Sequence, residues 1–113
     1  MTRQQELIAL YDQALRTECG VTPDPDLLRR VALGCGPLIY DAQTACVDAD
    51  DRGEIARIRR NFLVGKLGLR DSHDLTDAIE TMLELYDAPP DRKYRAVLYY
   101  MLVQHFAKAD VYR

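Results

Sequence analysis

The chain has 113 residues, of which 48% are hydrophobic and 29% charged, a balance that is typical of one globular domain and excludes a disordered or fibrous protein. Its formal net charge of −3 opposes binding to nucleic acid and to anionic membrane surfaces. The first twenty residues lack a secretory signal and no apolar run approaches the ~20 residues that span a bilayer, so we predict a cytoplasmic protein.

The first third of the chain predicts two amphipathic helices. Thr2 and Gln5 have the spacing of a capping box, and the apolar residues that follow recur at helical intervals as far as Cys19. Asp24 precedes a proline, which is favoured in a first helical turn, so we predict that Asp24 caps a second helix. That helix should end at Gly34, because glycine commonly terminates helices.

The middle of the chain predicts a turn, a loop and a basic helix. The string GCGPLIYDA places Pro37 after two glycines, so a tight turn should lead into a short helix near residues 37–42. The acidic segment that follows predicts a loop through Arg52. From Gly53 to Leu67 the apolar residues return at helical spacing, with Arg and Lys on the other faces.

The last third of the chain predicts an acidic helix and then an apolar one. Asp71 or Ser72 can cap the acidic helix, and the segment from Asp71 to Asp91 holds seven carboxylates and no Lys or Arg. After Asp91, another candidate cap, the final helix is apolar on nearly all sides from Ala96 to Val103, which indicates burial by several neighbours. The acidic helix can exchange exposed ion pairs with the basic helix or bind a basic partner, and the sequence leaves both open.

These elements predict an all-α fold: a single compact domain over residues 1–113, with five or six helices in an irregular or orthogonal bundle around the apolar C-terminal helix. No segment shows the alternating pattern of a strand. A DNA-binding helix-turn-helix is disfavoured because the carboxylates of the acidic helix would be repelled by phosphates.

The three cysteines carry the next candidate chemistry. Cys19, Cys35 and Cys46 are an odd number with no CxxC spacing, so we predict reduced, mostly buried thiols, and neither a metal nor a cofactor. Cys35 lies just before a predicted helix, whose positive end can lower the pKa of a thiol. A tight structural turn nevertheless explains the flanking glycines without any chemistry.

The aromatic residues near the C-terminus add a candidate ligand site. His105 lies five and six residues after Tyr100 and Tyr99, so these side chains can line a small pocket. A half-buried histidine with one hydrogen bond is the simpler interpretation of His105. The full set of candidate ligand-binding residues is Cys35, Tyr40, Tyr94, Tyr99, Tyr100 and His105. The sequence contains no phosphate-binding glycine loop, zinc-protease motif or nucleophile elbow, so no catalytic residue is assigned.

Four strings in order, GVTPDPDLL, GCGPLIYDA, NFLVGKLGL and KYRAVLYYMLVQHFAKADVY, give the chain a family resemblance. It resembles a family of short bacterial proteins known only as a domain of unknown function, from about Gly20 to Tyr112. The resemblance implies a stand-alone, cytoplasmic, helical protein. It implies no reaction, ligand or catalytic residue, since fold alone does not supply one.

Two functions follow from the residues. The first is a non-catalytic protein-interaction or homo-oligomeric module, because the basic and acidic helices are separate and catalytic motifs are absent. The alternative is a small-molecule-binding or thiol-redox protein with its site near the GCGP turn, at Cys35.

Overall fold

Five α-helices and no β-strand make up the backbone of the computed structural model, which describes residues 1–113. The helices are α1 (Arg3–Glu18), α2 (Pro25–Gly34), α3 (Arg52–Arg57), α4 (His73–Leu85) and α5 (Arg95–His105). The chain leaves α3 without a break as a π-helix over Ile58–Lys66, here called the π segment. Short 3₁₀ turns cover Gly36–Ile39, Pro90–Arg92 and Ala109–Tyr112. The predicted all-α fold is confirmed.

The helix starts show how far the local sequence determines the backbone. The Gln5 amide donates to Thr2 Oγ1 at 3.1 Å and the Thr2 amide donates to Gln5 Oε1 at 3.0 Å, which is the predicted capping box. Asp24 Oδ1 accepts from the amides of Asp26 and Leu27 at 3.0 and 3.3 Å, so Asp24 caps α2 as predicted. Ser72 occupies the cap position of α4, but its side chain makes no capping hydrogen bond.

Three predicted boundaries were wrong. The short helix expected near residues 37–42 is a 3₁₀ turn over Gly36–Ile39. The loop expected through Arg52 ends one residue earlier, because Asp51 caps α3 through the Glu54 amide. Asp91 does not cap the final helix, which begins at Arg95, because Pro90–Arg92 forms a separate 3₁₀ turn before it.

The helix α5 lies at the centre of the bundle. It packs against α1, α2 and α4, and seven of its apolar or aromatic side chains between Ala96 and Val103 are buried. The prediction of a central, apolar C-terminal helix is therefore confirmed. None of the helices combines the length and the apolar character needed to cross a membrane.

The basic and acidic helices pack side by side, as the sequence allowed. Arg52 Nη2 lies 2.9 Å from Glu80 Oε1, and both side chains are largely exposed. Arg59 donates to Thr76 Oγ1 at 2.9 Å and lies 3.4 Å from Asp71 Oδ1. Exposed ion pairs of this kind each contribute only about 0–1 kcal/mol, so they add little to the stability of the helix packing.

Candidate functional site

The six candidate ligand-binding residues do not form one site. Cys35 and Tyr99 line one cleft, whereas Tyr100 and His105 line a separate groove. Tyr94 lies elsewhere, with its ring 5.6 Å from the ring of Tyr11. Tyr40 is half exposed and lines neither depression. The structure thus replaces one predicted cluster with two surfaces of different chemistry.

The first surface, here called the Cys35 cleft, forms where the end of α2, the π segment, α5 and the C-terminal turn meet. Its volume is about 170 Å³. Its lining combines an apolar wall with an amide and an ammonium group. The lining residues are Gly34, Cys35, Leu38, Asn61, Phe62, Lys66, Tyr99 and Tyr112.

Cys35 itself is a packed thiol. Its Sγ donates to the carbonyl of Val31 at 3.5 Å, so it faces the C-terminal end of α2, where the helix dipole is negative. Burial raises the pKa of the Cys35 thiol to about 11, and the positive charge of Arg95 opposes this only in part. The sequence left open that a helix end lowers the pKa of the Cys35 thiol, and the structure shows the opposite direction. Gly36, at φ +60°, supports the structural turn instead.

A buried arginine beneath the cleft is the polar residue that sequence reasoning missed. Arg95 is only 5% exposed. Its guanidinium donates to Tyr99 Oη at 3.0 Å and to the Thr44 carbonyl at 2.7 Å, and it contacts the Glu54 carboxylate. In the sequence, Arg95 looks like one of several basic residues that open the last helix. Its position four residues before Tyr99, at the edge of the apolar run, is the signal that could have identified it.

Arg95 holds the aromatic wall of the cleft, formed by Tyr99 and Phe62, in place. The Tyr99 ring stacks on the Phe62 ring at a centroid distance of 3.8 Å and an interplanar angle of 15°. Because Arg95 holds the Tyr99 hydroxyl from one side and Phe62 covers the ring from the other, Tyr99 has little freedom to turn. The cleft therefore has a preformed wall, which lowers the entropy cost of binding a ligand.

The π segment supplies the polar rim of the cleft. The Leu67 amide donates to the Phe62 carbonyl at 2.9 Å, five residues back, which is the hydrogen bond of a π-helix. This wider winding places Asn61, Phe62 and Lys66 together on the cleft. The Lys66 ammonium lies 5.2 Å from the centre of the Tyr112 ring. Nine consecutive residues of π-helix are rare, and π-helical turns occur often at functional sites.

The second surface, here called the α4–α5 groove, is larger and also mainly apolar. Its volume is about 350 Å³, and Leu85 at its edge is 58% exposed. Tyr100 serves structure here, because its hydroxyl accepts from the Asp24 amide at 2.9 Å and from Gln104 Nε2 at 3.0 Å. The lining residues are Cys19, Val21, Met82, Leu85, Tyr100, Met101, Gln104 and His105.

Three acidic residues lie close in the chain to residues that line the α4–α5 groove. Glu18 precedes Cys19 and Glu84 precedes Leu85 in the chain, and the Asp87 amide donates to the Glu18 carbonyl at 2.8 Å. None of these three carboxylates forms an ion pair within 4.0 Å. Glu18 lines a different depression together with Arg92, and none of the three carboxylates lines the groove itself, which is mainly apolar.

Comparison with known proteins gives a family and adds no ligand or reaction. No curated protein matches the chain. Residues 10–110, nearly the whole chain and all five helices at least in part, match a family described as "Protein of unknown function (DUF2853)". The chain therefore belongs to this family of unknown function.

Proposed function

We propose that this protein is a non-catalytic, cytoplasmic interaction module whose α4–α5 groove binds a basic amphipathic helix of a partner protein. The observation that carries the proposal is a mainly apolar groove with an exposed leucine at its edge, lined by residues whose neighbours in the chain include acidic residues without an ion pair. A cytoplasmic setting accords with three cysteines that form no disulfide.

The groove has the chemistry of a helix-binding surface. Met82 and Met101 line it, and methionine side chains adapt to partners of different shape because they are unbranched and polarisable. Leu85 offers an exposed apolar contact at its edge. A helix with apolar residues at i, i+3, i+4 and i+7 would fill such a groove.

The acidic residues close in the chain to the groove favour a basic partner. Glu18, Glu84 and Asp87 carry negative charge with no compensating Lys or Arg in their ion-pair range. Lys and Arg on the polar face of a partner helix would meet these carboxylates, which raises the association rate and rejects acidic helices. A second copy of this chain is the alternative occupant, and the experiment below separates the two.

The test uses synthetic 18-residue helical peptides that each carry one Trp, because the chain itself contains none. One peptide has Leu on one face and Lys on the other, and its match replaces Lys with Glu. We expect the Lys peptide to bind at least about tenfold more tightly, as read from Trp fluorescence. Equal binding of the two peptides, or no binding, would contradict the proposal.

Surface leucines provide matched variants for the same test. Leu85→Ser removes the apolar contact at the groove, and Leu33→Ser removes a leucine that is 39% exposed on α2. We expect only Leu85→Ser to weaken binding of the Lys peptide, with a Kd that rises roughly fivefold or more. Equal effects of the two variants would place the peptide elsewhere. A concentration-dependent dimer in sedimentation that Leu85→Ser abolishes would assign the groove to self-association.

A second candidate function is the binding of a small molecule in the Cys35 cleft. The preformed wall of Phe62 and Tyr99 and the polar groups of the π segment support it. The thiol-redox form of this candidate has less support, because a thiol with a raised pKa is a poor nucleophile at neutral pH.

A further inference from the structure

We infer that the Cys35 cleft binds a small planar carboxylate, with the carboxylate at Lys66 and the ring among the aromatic side chains of the cleft. The inference deepens the second candidate function and rests on it. It is independent of the α4–α5 groove, which shares no lining residue with the cleft.

The size of the cleft limits the ligand to about one ring. The cleft measures about 170 Å³. An apolar cavity of about 150 Å³ is known to hold benzene, so a six-membered ring with one small substituent fits the same space. A nucleotide or a peptide is too large to be enclosed by this cleft. Tyr99, Tyr112 and Leu38 provide the aromatic and aliphatic surfaces against which a flat ring packs.

The polar groups of the cleft favour an anion. No Asp or Glu lines the cleft, and Lys66 forms no ion pair with any carboxylate of the chain. Lys66 is therefore the one charged side chain that lines the cleft, and its positive charge is not offset by a carboxylate in ion-pair range. A carboxylate at Lys66 would gain a charge-assisted hydrogen bond, with the Asn61 amide as a neighbouring donor.

The neighbouring hydroxyl and thiol groups remain neutral and leave the binding non-covalent. Burial, followed by the nearby Cys35 and Tyr99, raises the pKa of Tyr112, so its hydroxyl keeps its proton and adds no negative charge. Cys35 also stays protonated at neutral pH. The cleft therefore presents one cation, neutral donors and aromatic surface, and lacks an activated nucleophile.

The experiment titrates the ¹⁵N-labelled full chain with benzoate, using benzamide and acetate as matched probes. Benzamide keeps the ring without the charge, and acetate keeps the charge without the ring. We expect benzoate to shift the signals of Gly34, Asn61 and Lys66 saturably, with a Kd of about 1 mM or lower. Benzamide and acetate should each bind at least about tenfold more weakly.

Two exposed residues of the π segment give the matched variants. Lys66→Gln should weaken benzoate at least about tenfold, whereas Arg60→Gln, which lies outside the cleft, should change the Kd less than about twofold. No saturable shift with benzoate, equal binding of benzamide, or an unchanged Kd in Lys66→Gln would each overturn the inference.

The outcomes also distinguish this inference from the two proposed functions, which are small-molecule binding in the cleft and helix binding in the groove. If benzamide binds the cleft as well as benzoate does, the carboxylate class is wrong although small-molecule binding stands. If no probe perturbs the cleft signals, both fail. Leu85→Ser should leave benzoate binding unchanged, so a failed peptide experiment at the groove does not bear on the cleft.

Discussion

The Arg95 guanidinium contacts the Glu54 carboxylate in the interior, where the two side chains are only 7% and 13% exposed. Arg57 Nη2 reaches the other carboxylate oxygen of Glu54 at 3.0 Å from the outside. Tyr99 Oη and the Thr44 carbonyl accept hydrogen bonds from the same guanidinium. The pair therefore joins α3, α5 and the loop before α3 under the Cys35 cleft.

Removing both partners of this pair should cost less than the sum of the two single removals. Glu54→Gln leaves the Arg95 charge buried without its counter-ion, which should lower the free energy of unfolding by about 3–5 kcal/mol. The double variant Glu54→Gln/Arg95→Met should lose at least about 1 kcal/mol less than the sum of the single variants. Urea unfolding followed by circular dichroism measures all three.

The exposed pair Arg52–Glu80 is the control for that cycle. Its side chains are 66% and 42% exposed, so the coupling between Arg52→Gln and Glu80→Gln should stay below about 1 kcal/mol and shrink in high salt. Additive losses at Arg95 and Glu54 would show that the buried pair is not a coupled unit.

The buried tyrosines predict opposite effects of the same substitution. Tyr11 is fully buried and its hydroxyl has no hydrogen-bond partner, so Tyr11→Phe should leave stability unchanged or raise it by about 1 kcal/mol. The Tyr86 hydroxyl donates to the Arg92 carbonyl at 3.0 Å and accepts from the Tyr94 amide at 3.3 Å. Tyr86→Phe should therefore cost about 1–2 kcal/mol. Equal losses in thermal unfolding would reveal a hidden partner for Tyr11.

Gly65 should tolerate alanine poorly because of the π-helical winding. In an ordinary helix Gly→Ala stabilises by about 1 kcal/mol, but here the new Cβ would lie 3.3 Å from the carbonyl oxygen of Arg60. We expect Gly65→Ala to lower the melting temperature and to shift the amide signals of Asn61 and Lys66. Gly53→Ala is the control, since its Cβ meets only side-chain atoms of Asp51 and Arg57. A rise in melting temperature for Gly65→Ala would show that the Arg60 carbonyl does not restrict the side chain at this position.

The two helix caps should differ in energy although both have a capping residue type. Asp24→Ala removes a side chain that accepts two backbone hydrogen bonds, and should cost about 0.5–2 kcal/mol. Ser72→Ala removes a side chain that caps no amide, so it should cost less than about 0.5 kcal/mol. Equal costs in urea unfolding would mean that position, and not the hydrogen bond, determines cap strength.

Cys35 should react with alkylating agents only at high pH. Its folded pKa is about 11 against about 9 when unfolded, so in the variant Cys19→Ser/Cys46→Ser iodoacetamide should react at pH 7.5 about a hundredfold more slowly than with the same chain in urea. The folded value is the higher one, so the protonated thiol favours folding below pH 9, and this contribution disappears as the pH rises through 11. Equal rates in folded and unfolded protein at pH 7.5 would refute the raised pKa.

The sequence by itself determined the presence of the five helices, the caps of α1 and α2, and the central position of α5. Thr2 and Asp24 cap their helices by accepting hydrogen bonds from amides two or three residues away. An apolar run such as Ala96–Val103 can be shielded from water only by burial. These features depend on residues close in the chain or on the hydrophobic pattern alone, so they can be predicted from the sequence.

Only the tertiary structure decided which side chains meet. Glu54 lies 41 residues before Arg95, and the Cys35 cleft joins residues from Gly34 to Tyr112, so their juxtaposition depends on how the helices cross. The same packing separated Cys35 from Tyr100 and His105, and it buried the Cys35 thiol at the carbonyl end of α2. Burial keeps the Cys35 thiol protonated at neutral pH, and burial by distant residues is not encoded in local spacing.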